Sequence, residues 1–135
     1  MCDMLIALLL AAAMPASGPT PTPTPKPTPT QGPLTTRALA DYKAADAEMA
    51  AQWKLTNAFM KGKDALDRSR GGGFGFAAAL LVSQRAWLGY RDAACAVEGG
   101  IYAGDIRQQL MIAQCKTALT NARTLQLKGL MVAGA

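Results

Sequence analysis

Apolar side chains recur with helical spacing along the chain, and the first segment with this pattern runs from Thr35 to Met60. This segment contains neither Gly nor Pro. Its large apolar residues are separated by 3, 7, 4 and 7 positions: Leu39, Tyr42, Met49, Trp53 and Met60. Because residues three, four and seven apart share one face of an α-helix, the spacing predicts an amphipathic helix.

Two further helices are predicted, the second from Phe76 to Glu98, where the pair Gly99-Gly100 ends it. Its apolar face contains Leu80, Leu81, Trp87, Leu88, Ala94 and Cys95. The third begins at Asp105, whose carboxylate is a good helix cap. Its apolar residues are Ile106, Leu110, Ala113, Leu119, Ala122 and Leu130. No segment alternates apolar and polar residues as a strand does, so we expect an all-α fold, a small three-helix bundle.

The N-terminus has the pattern of a secretory signal. Residues Leu5 to Met14 form an unbroken apolar run of ten residues, about half of the roughly 20 that a membrane-spanning helix needs. Small residues follow, at Ala11, Ala13, Ala16, Ser17 and Gly18. We therefore predict a signal peptide over residues 1–18, and no stable membrane insertion after processing. The alternative is a buried N-terminal helix, because no Lys or Arg precedes the run.

All 8 prolines lie within the first 33 residues, most of them alternating with Thr. Proline fixes φ and removes a backbone donor, so residues 19–33 are predicted to form a polyproline II linker. A ligand for a proline-binding domain, or an O-glycosylated stalk, is the alternative. The helical domain then occupies residues 34–135.

Removal of the signal peptide would also remove Cys2 and leave Cys95 and Cys115. In an oxidising compartment this even count predicts a disulfide between them, and two separate buried thiols are the alternative. For the two sulfur atoms to lie at the same height in an antiparallel helix pair, helix three must begin about 9 Å beyond the end of helix two. The loop from Gly99 to Asp105 is then expected to project.

Ile101 and Tyr102 lie in this loop, between helices two and three. A projecting apolar loop is a candidate contact surface for a partner. The alternative is that both side chains fold back and cover the end of the bundle.

Arg91 lies one helical turn after Trp87, so its guanidinium can cover the indole ring. An acidic residue of helix one, such as Asp46, can pair with the same guanidinium. We interpret these residues as a structural pair. The alternative is an Arg–Trp patch that faces a partner.

Composition excludes several classes of enzyme site. The chain has 0 His and 3 Cys, which excludes a Ser-His-Asp triad, a His-ligated metal and a four-cysteine zinc site. The Gly-rich stretch from Lys61 to Phe76 lacks the Gly-Lys-Ser/Thr of a phosphate-binding loop, which favours a flexible connector. Asp64 and Asp67 alternate with basic residues and are interpreted as a solvated surface rather than a glycosidic acid–base pair. We predict no catalytic residue, metal or cofactor.

The formal net charge is +5, without an arginine-rich helix or an aromatic strip that would indicate nucleic-acid binding. We therefore predict no nucleic-acid partner. For an exported domain, this charge favours salt-dependent contact with an anionic cell-envelope polymer.

Three segments, at residues 41–54, 80–100 and 113–124, resemble the lysozyme-inhibitor LprI-like N-terminal domain family. The most specific residues are Gln84, Arg85, Trp87, Tyr90, Arg91, Asp92 and Cys95, with Cys115, Thr120 and Arg123 downstream. The resemblance implies a small exported helical domain with a disulfide and no cofactor. We expect the polar and aromatic residues of this motif to be structural.

Together these observations predict an exported, non-enzymatic binding module, periplasmic or secreted. The resemblance to the LprI-like family further implies that it inhibits lysozyme-type muramidases, which we expect it to do by covering the cleft. The contacting edge would be the Gly99 to Asp105 loop or the Lys61 to Gly75 connector. The alternative is a structural cell-envelope domain that binds anionic glycan or another envelope protein.

Overall fold

The computed structural model describes residues 31–133 and contains three long α-helices in this range: α1 (Gln31–Leu66), α2 (Phe76–Gly100) and α3 (Arg107–Val132). All three helices pack against one another, and no strand occurs within residues 31–133. The predicted all-α three-helix architecture is therefore confirmed. The predicted signal peptide and the linker residues up to Thr30 lie outside the described part of the chain.

Helix α1 is longer than the sequence pattern indicates, at 36 residues. It begins at Gln31 rather than at Thr35, and Pro33 is accommodated because a proline in the first helical turn breaks no internal hydrogen bond. It also continues through Leu66, so the predicted connector from Lys61 is helical over its first six residues.

The connector between α1 and α2 is held by two carboxylates. Asp64 accepts hydrogen bonds from the backbone N–H groups of Phe76 (2.6 Å) and Ala77 (2.9 Å), so it caps the start of α2. Asp67 accepts from the backbone of Ser69 and Phe74, and these bonds lower the pKa of its carboxyl group. Both carboxylates remain at least partly solvated, as interpreted, and they also accept hydrogen bonds from backbone donors of this tight connection, a role that the sequence analysis did not predict.

Helices α2 and α3 form a hairpin joined by the predicted disulfide. Cys95 and Cys115 are bonded, with Cα atoms 5.5 Å apart. Cys95 lies five positions before the last residue of α2, and Cys115 lies eight positions after the first residue of α3. The axial offset of the helix ends is thus about 4.5 Å, smaller than the predicted 9 Å.

Gly99 allows α2 and α3 to approach closely beyond the disulfide. It is buried, and a Cβ atom placed on it would overlap the side chain of Ile112 in α3. Contrary to the prediction, helix α2 does not end before the glycine pair, because its helical backbone continues through Gly100 before the chain turns.

The apolar core contains Met49 and Met60 of α1, Leu80 of α2 and Leu127 of α3. Several residues predicted on the buried faces are exposed instead: Leu39, Leu81, Ile106, Ala122 and Leu130. Leu127, which is 0% exposed, was absent from the predicted face of α3. The apolar spacing was misleading because polar side chains occupy much of the buried face of this helix.

Candidate functional site

The motif residues of α2 divide into an inner and an outer set. Gln84, Trp87 and Arg91 follow one another at spacings of three and four, which places them on one face of the helix. Gln84 and Arg91 are buried and Trp87 is half-buried. Arg123 of α3 is buried next to them. These four residues, which we call the inner cluster, lie where the helices meet.

Arg91 joins α2 to α1 through charge and aromatic contacts. Its guanidinium lies 2.9 Å from the Asp46 carboxylate and 3.1 Å from that of Asp92. It also lies 5.4 Å from the ring centroid of Tyr42 and 5.3 Å from that of Trp87, within the range of cation–π attraction. The predicted contacts with Asp46 and Trp87 are both present.

Burial alone would lower the pKa of Arg91, but the hydrogen bonds to Asp92 and Asp46 outweigh it and raise the pKa. With only 6% of the residue exposed, Arg91 is not available to a partner. The structure therefore supports the interpretation of a structural pair over that of a partner-facing patch.

Arg123 is buried without a carboxylate partner within residues 31–133. Its three nitrogen atoms donate to neutral oxygens of Gln84 (3.0 Å), Gln126 (2.6 Å) and Ser83 (3.0 Å). Its guanidinium also lies 5.8 Å from the Trp87 ring centroid. Burial lowers the pKa of Arg123, although a guanidinium remains charged at neutral pH.

A second buried polar set joins α1 to α3 and was missed by the sequence analysis. The Gln52 amide donates to the Thr56 hydroxyl (3.1 Å), and that hydroxyl donates to the backbone carbonyl of Leu127 (3.1 Å). Thr120 and Thr124 are also buried. In the sequence, these residues could have been found as Gln or Thr side chains four positions apart on one helix face. An analysis of apolar residues alone leaves them out. Both polar sets are structural, since their buried hydroxyl, amide and guanidinium groups bond to other residues of the protein itself.

The outer motif residues Arg85, Tyr90 and Asp92 are exposed on α2. Asp92 pairs with Lys116 of α3 at 3.1 Å in addition to its contact with Arg91. Partial burial alone would raise the pKa of Asp92, but the hydrogen bonds from Lys116 and Arg91 outweigh it and lower the pKa. Arg85 forms no ion pair with any residue in the range 31–133.

The α2–α3 loop presents Ile101 to solvent, with 78% of the residue exposed. Tyr102 is half-buried, and the guanidinium of Arg107 lies 4.8 Å from its ring centroid. The Asp105 carboxylate accepts the Arg107 backbone N–H (2.8 Å) and pairs with its guanidinium (2.9 Å). Ile101 therefore does not fold back over the bundle end, whereas Tyr102 is partly covered.

Backbone hydrogen bonds define the shape of this loop. Tyr102 donates to Gly99 (2.9 Å), and Asp105 donates to Tyr102 (2.9 Å). Gly104 has a φ of 81°, a left-handed conformation that favours glycine. Because these hydrogen bonds already order the loop, little conformational entropy is lost when Ile101 contacts a partner.

The loop borders a groove of about 630 Å³ formed with the start of α1. Leu39 and Ile106 line this groove and are 48% and 44% exposed. We refer to Leu39, Ile101 and Ile106 as the loop-end surface. Leu39 and Ile106 lie in the groove among polar residues such as Thr35 and Gln108, and Ile101 is exposed on the same ordered loop. This arrangement suits contact with a protein.

The connector, the other predicted contact edge, lies at the opposite end of α2, about 37 Å away along its axis. Phe74 is 54% exposed there, and its ring centroid lies 4.9 Å from that of Phe76. Lys63 lies 5.1 Å from the Phe76 ring. The two predicted edges therefore do not form one surface.

Within the described range, acidic and cysteine side chains nowhere cluster in threes as a metal site would require. None of the helices in that range combines the length and the apolar character needed to cross a membrane.

Comparison with known proteins places the chain in a family and finds a similar protein in another organism. A family model described as lysozyme inhibitor LprI matches residues 24–127. An uncharacterized protein from Rhizobium meliloti (strain 1021) is 35% identical over 130 residues, which cover 93% of this chain and 91% of that protein. No solved structure matches the chain.

Proposed function

Because the chain belongs to the LprI lysozyme inhibitor family, we propose that it is an exported, non-enzymatic protein that inhibits lysozyme-type muramidases by surface contact. The proposed location is the periplasm or the exterior of the cell. The exposed Ile101 on an internally hydrogen-bonded loop is the single observation that carries the choice of contact site.

The inner cluster supports this choice indirectly. Gln84, Arg91 and Arg123 are buried, and their hydrogen-bonding groups are occupied by the fold itself. A partner has to contact other residues, and the loop-end surface supplies three large apolar side chains that are 44% to 78% exposed. Apolar anchors at the centre of an interface contribute much of its binding energy.

Local charge also favours the loop-end surface. The whole chain has a net charge of +5, and animal-type lysozymes are generally cationic, so long-range repulsion opposes their approach. Residues 98–107, however, contain Glu98 and Asp105 against the single base Arg107. Because Arg107 is already paired with Asp105, the loop itself presents no unpaired positive charge to a cationic partner; the exposed Arg37 at the start of α1 is the nearest other base.

The test is a lysozyme activity assay with the purified full chain and the variant Ile101→Ser. We expect the wild-type chain to inhibit, and the variant to require at least about tenfold more protein for the same inhibition, as loss of one buried anchor implies. Val132→Ser is the matched control, because Val132 is also 78% exposed but lies at the far end of α3.

Absence of inhibition by the wild-type chain, at both low and high salt, would overturn the proposed function. Equal loss in the Ile101 and Val132 variants would exclude the loop as the contact site while leaving inhibition itself in place.

A second candidate function, a structural domain that binds anionic envelope polymer, is favoured by one face of α1. Lys43, Lys54 and Lys61 are separated by 11 and 7 positions, which brings them into one exposed row about 27 Å long. None of the three forms an ion pair with another residue in the range 31–133. Binding of the wild-type chain to an acidic glycan should be abolished by 0.5 M salt, which shortens the Debye length to about 4 Å. Replacing all three Lys residues by Gln should abolish the same binding at low salt. Replacing the ion-paired Lys128 by Gln is the control.

A further inference from the structure

The outward face of α2 is an apolar surface that no other described element covers. Exposed residues follow one another along it at alternating spacings of three and four: Ala79, Val82, Ala86, Gly89, Ala93 and Ala96. None of them is charged. Tyr90 and Val97, which border this row on one side, are 61% and 73% exposed. We call these eight residues the outer face of α2.

An exposed face of this kind is unusual for a helix of a monomeric protein, which normally carries charged residues opposite its buried side. Helix α1 has such residues, in the row of Lys43, Lys54 and Lys61. The outer face of α2, in contrast, carries no charged side chain. It therefore does not itself repel a second copy of this chain, whose net charge is +5. The charged residues Arg85 and Asp92 stand along its other border.

We propose that the outer face of α2 binds the same face of a second copy, with the two helices antiparallel about a two-fold axis. The alternating spacing of three and four is that of helices packing side by side. A two-fold interface requires a surface complementary to itself. The row of α2 meets this requirement in one antiparallel register, which sets Ala79 opposite Ala96, Val82 opposite Ala93, and Ala86 opposite Gly89 of the other copy.

In each of these layers at least one residue is Ala or Gly, so the two helix axes can approach closely. Gly89 has open space around the position of a Cβ atom, so its lack of a side chain is not required by packing within the monomer. In the paired register, that space is filled by Ala86 of the second copy.

Charge complementarity selects this register and orientation. Arg85 and Asp92 lie on the same border of the face, seven residues apart, and each precedes a residue of the row. In the antiparallel register, Arg85 of one copy lies opposite Asp92 of the other, and symmetry gives this pair twice. A parallel arrangement would place the two charged borders on opposite sides of the interface, so this pair could not form.

Arg85 is free to form this pair in the single copy, whereas Asp92 already pairs with Arg91 and Lys116, in both cases through Oδ1, so that Oδ2 is the oxygen left for Arg85. Arg85 is exposed and has no ion pair with residues 31–133, while the Asp92 side chain is 54% exposed beside Lys116 and Arg91. Ile101 lies five positions beyond Ala96, the last residue of the row, and the inference does not depend on the proposed function.

Sedimentation equilibrium of the full chain over a range of concentrations tests the proposal. We expect a reversible dimer that Ala86→Glu abolishes, because the substitution sets a charge in a close-packed layer. Ala47→Glu is the matched control, the same change at an exposed position of α1. Arg85→Glu should weaken the dimer at least about tenfold, since it replaces two opposite-charge contacts by two like-charge contacts.

A chain that is monomeric at every concentration would overturn the proposal, as would a dimer that Ala86→Glu leaves intact. A dimer lost with Ala86→Glu but unaffected by Arg85→Glu would overturn the antiparallel register. Circular dichroism of each variant distinguishes these outcomes from unfolding. Lysozyme inhibition is measured separately on the same samples, so the failure of one proposal is not mistaken for failure of the other.

Discussion

At the scale of single residues, the polar side chains in the interior connect the helices more specifically than the apolar ones do. Arg91 contacts carboxylates and rings that belong to two helices, α1 and α2. Arg123 joins α3 to α2 with neutral acceptors alone. Since a buried charged group is costly unless its donors are satisfied, only the native arrangement of the helices accommodates both guanidinium groups.

We expect Arg91→Ala to lower the free energy of unfolding by about 2–3 kcal/mol, mainly through loss of the packing against Tyr42 and Trp87. The side chains of Asp46 and Asp92 are about half exposed, so water can replace the guanidinium and little further cost arises from their charge. Urea denaturation followed by circular dichroism measures the change.

Arg85→Ala is the control for this prediction, because Arg85 is an exposed motif residue six positions away. Its effect on a monomeric sample should stay within about 0.5 kcal/mol. Equal losses in the two variants would contradict the structural role assigned to Arg91.

At the scale of helices, the hairpin of α2 and α3 depends on a close approach at one glycine. The disulfide fixes the two helices at Cys95 and Cys115. Beyond it, Gly99 packs against Ile112 with no room for a Cβ atom. Together these contacts position the loop that presents Ile101.

Gly99→Ala should therefore destabilise the protein by about 1–3 kcal/mol, because the added methyl group overpacks the hairpin. Gly100→Ala is the matched control, since Gly100 adjoins Gly99 but has open space around its Cβ position. We expect that control to be neutral or to stabilise the chain by less than about 1 kcal/mol. Thermal denaturation of both variants measures the difference, and a harmless Gly99→Ala would refute the close approach.

At the scale of the whole molecule, two properties set the response to conditions: one disulfide in a small domain and a complete lack of His. A domain of this size buries a limited core, so a single cross-link is a large part of its net stability.

The double substitution Cys95→Ala/Cys115→Ala should lower the free energy of unfolding by about 3 kcal/mol, because the unfolded chain gains the entropy of an open loop. Chemical denaturation of the oxidised protein and the variant gives this value. A reducing agent should then destabilise the wild-type chain but leave the variant unchanged; a response of the variant would point to another cause.

The stability should be nearly independent of pH between about pH 5 and 8, because the chain has no His to titrate in that range. Backbone hydrogen bonds lower the pKa of Asp67, and the Arg107 side chain lowers that of Asp105. A carboxyl group with a lowered pKa in the folded state stabilises it above the unfolded pKa, and this contribution is lost as the pH falls. We therefore expect stability to decrease below about pH 4.

Urea denaturation at a series of pH values tests this dependence. Asp67→Asn should show a smaller decrease on acidification than the wild-type chain. A marked change in stability between about pH 5 and 8 would be inconsistent with the expectation.

Much of the fold was predictable from local pattern. Helical spacing in three segments predicted three helices, and the even number of cysteines after Cys2 predicted the disulfide. The pair of Arg91 with Asp46 was also predictable, because both residues lie on helices that must face each other. The capping roles of Asp64 and Asp67 were not, since they depend on how the connector returns the chain to α2.

The sequence by itself thus determined which segments are helical, because helix formation depends on local spacing and residue type, and its count of two cysteines after Cys2 left one possible pair. Only the tertiary structure decided which helix faces are buried. Periodicity shows which side chains share a face, but not what that face meets. Arg123 is buried because Gln84 and Ser83 of another helix satisfy its donors, while Val82 stays exposed because no described element packs over it.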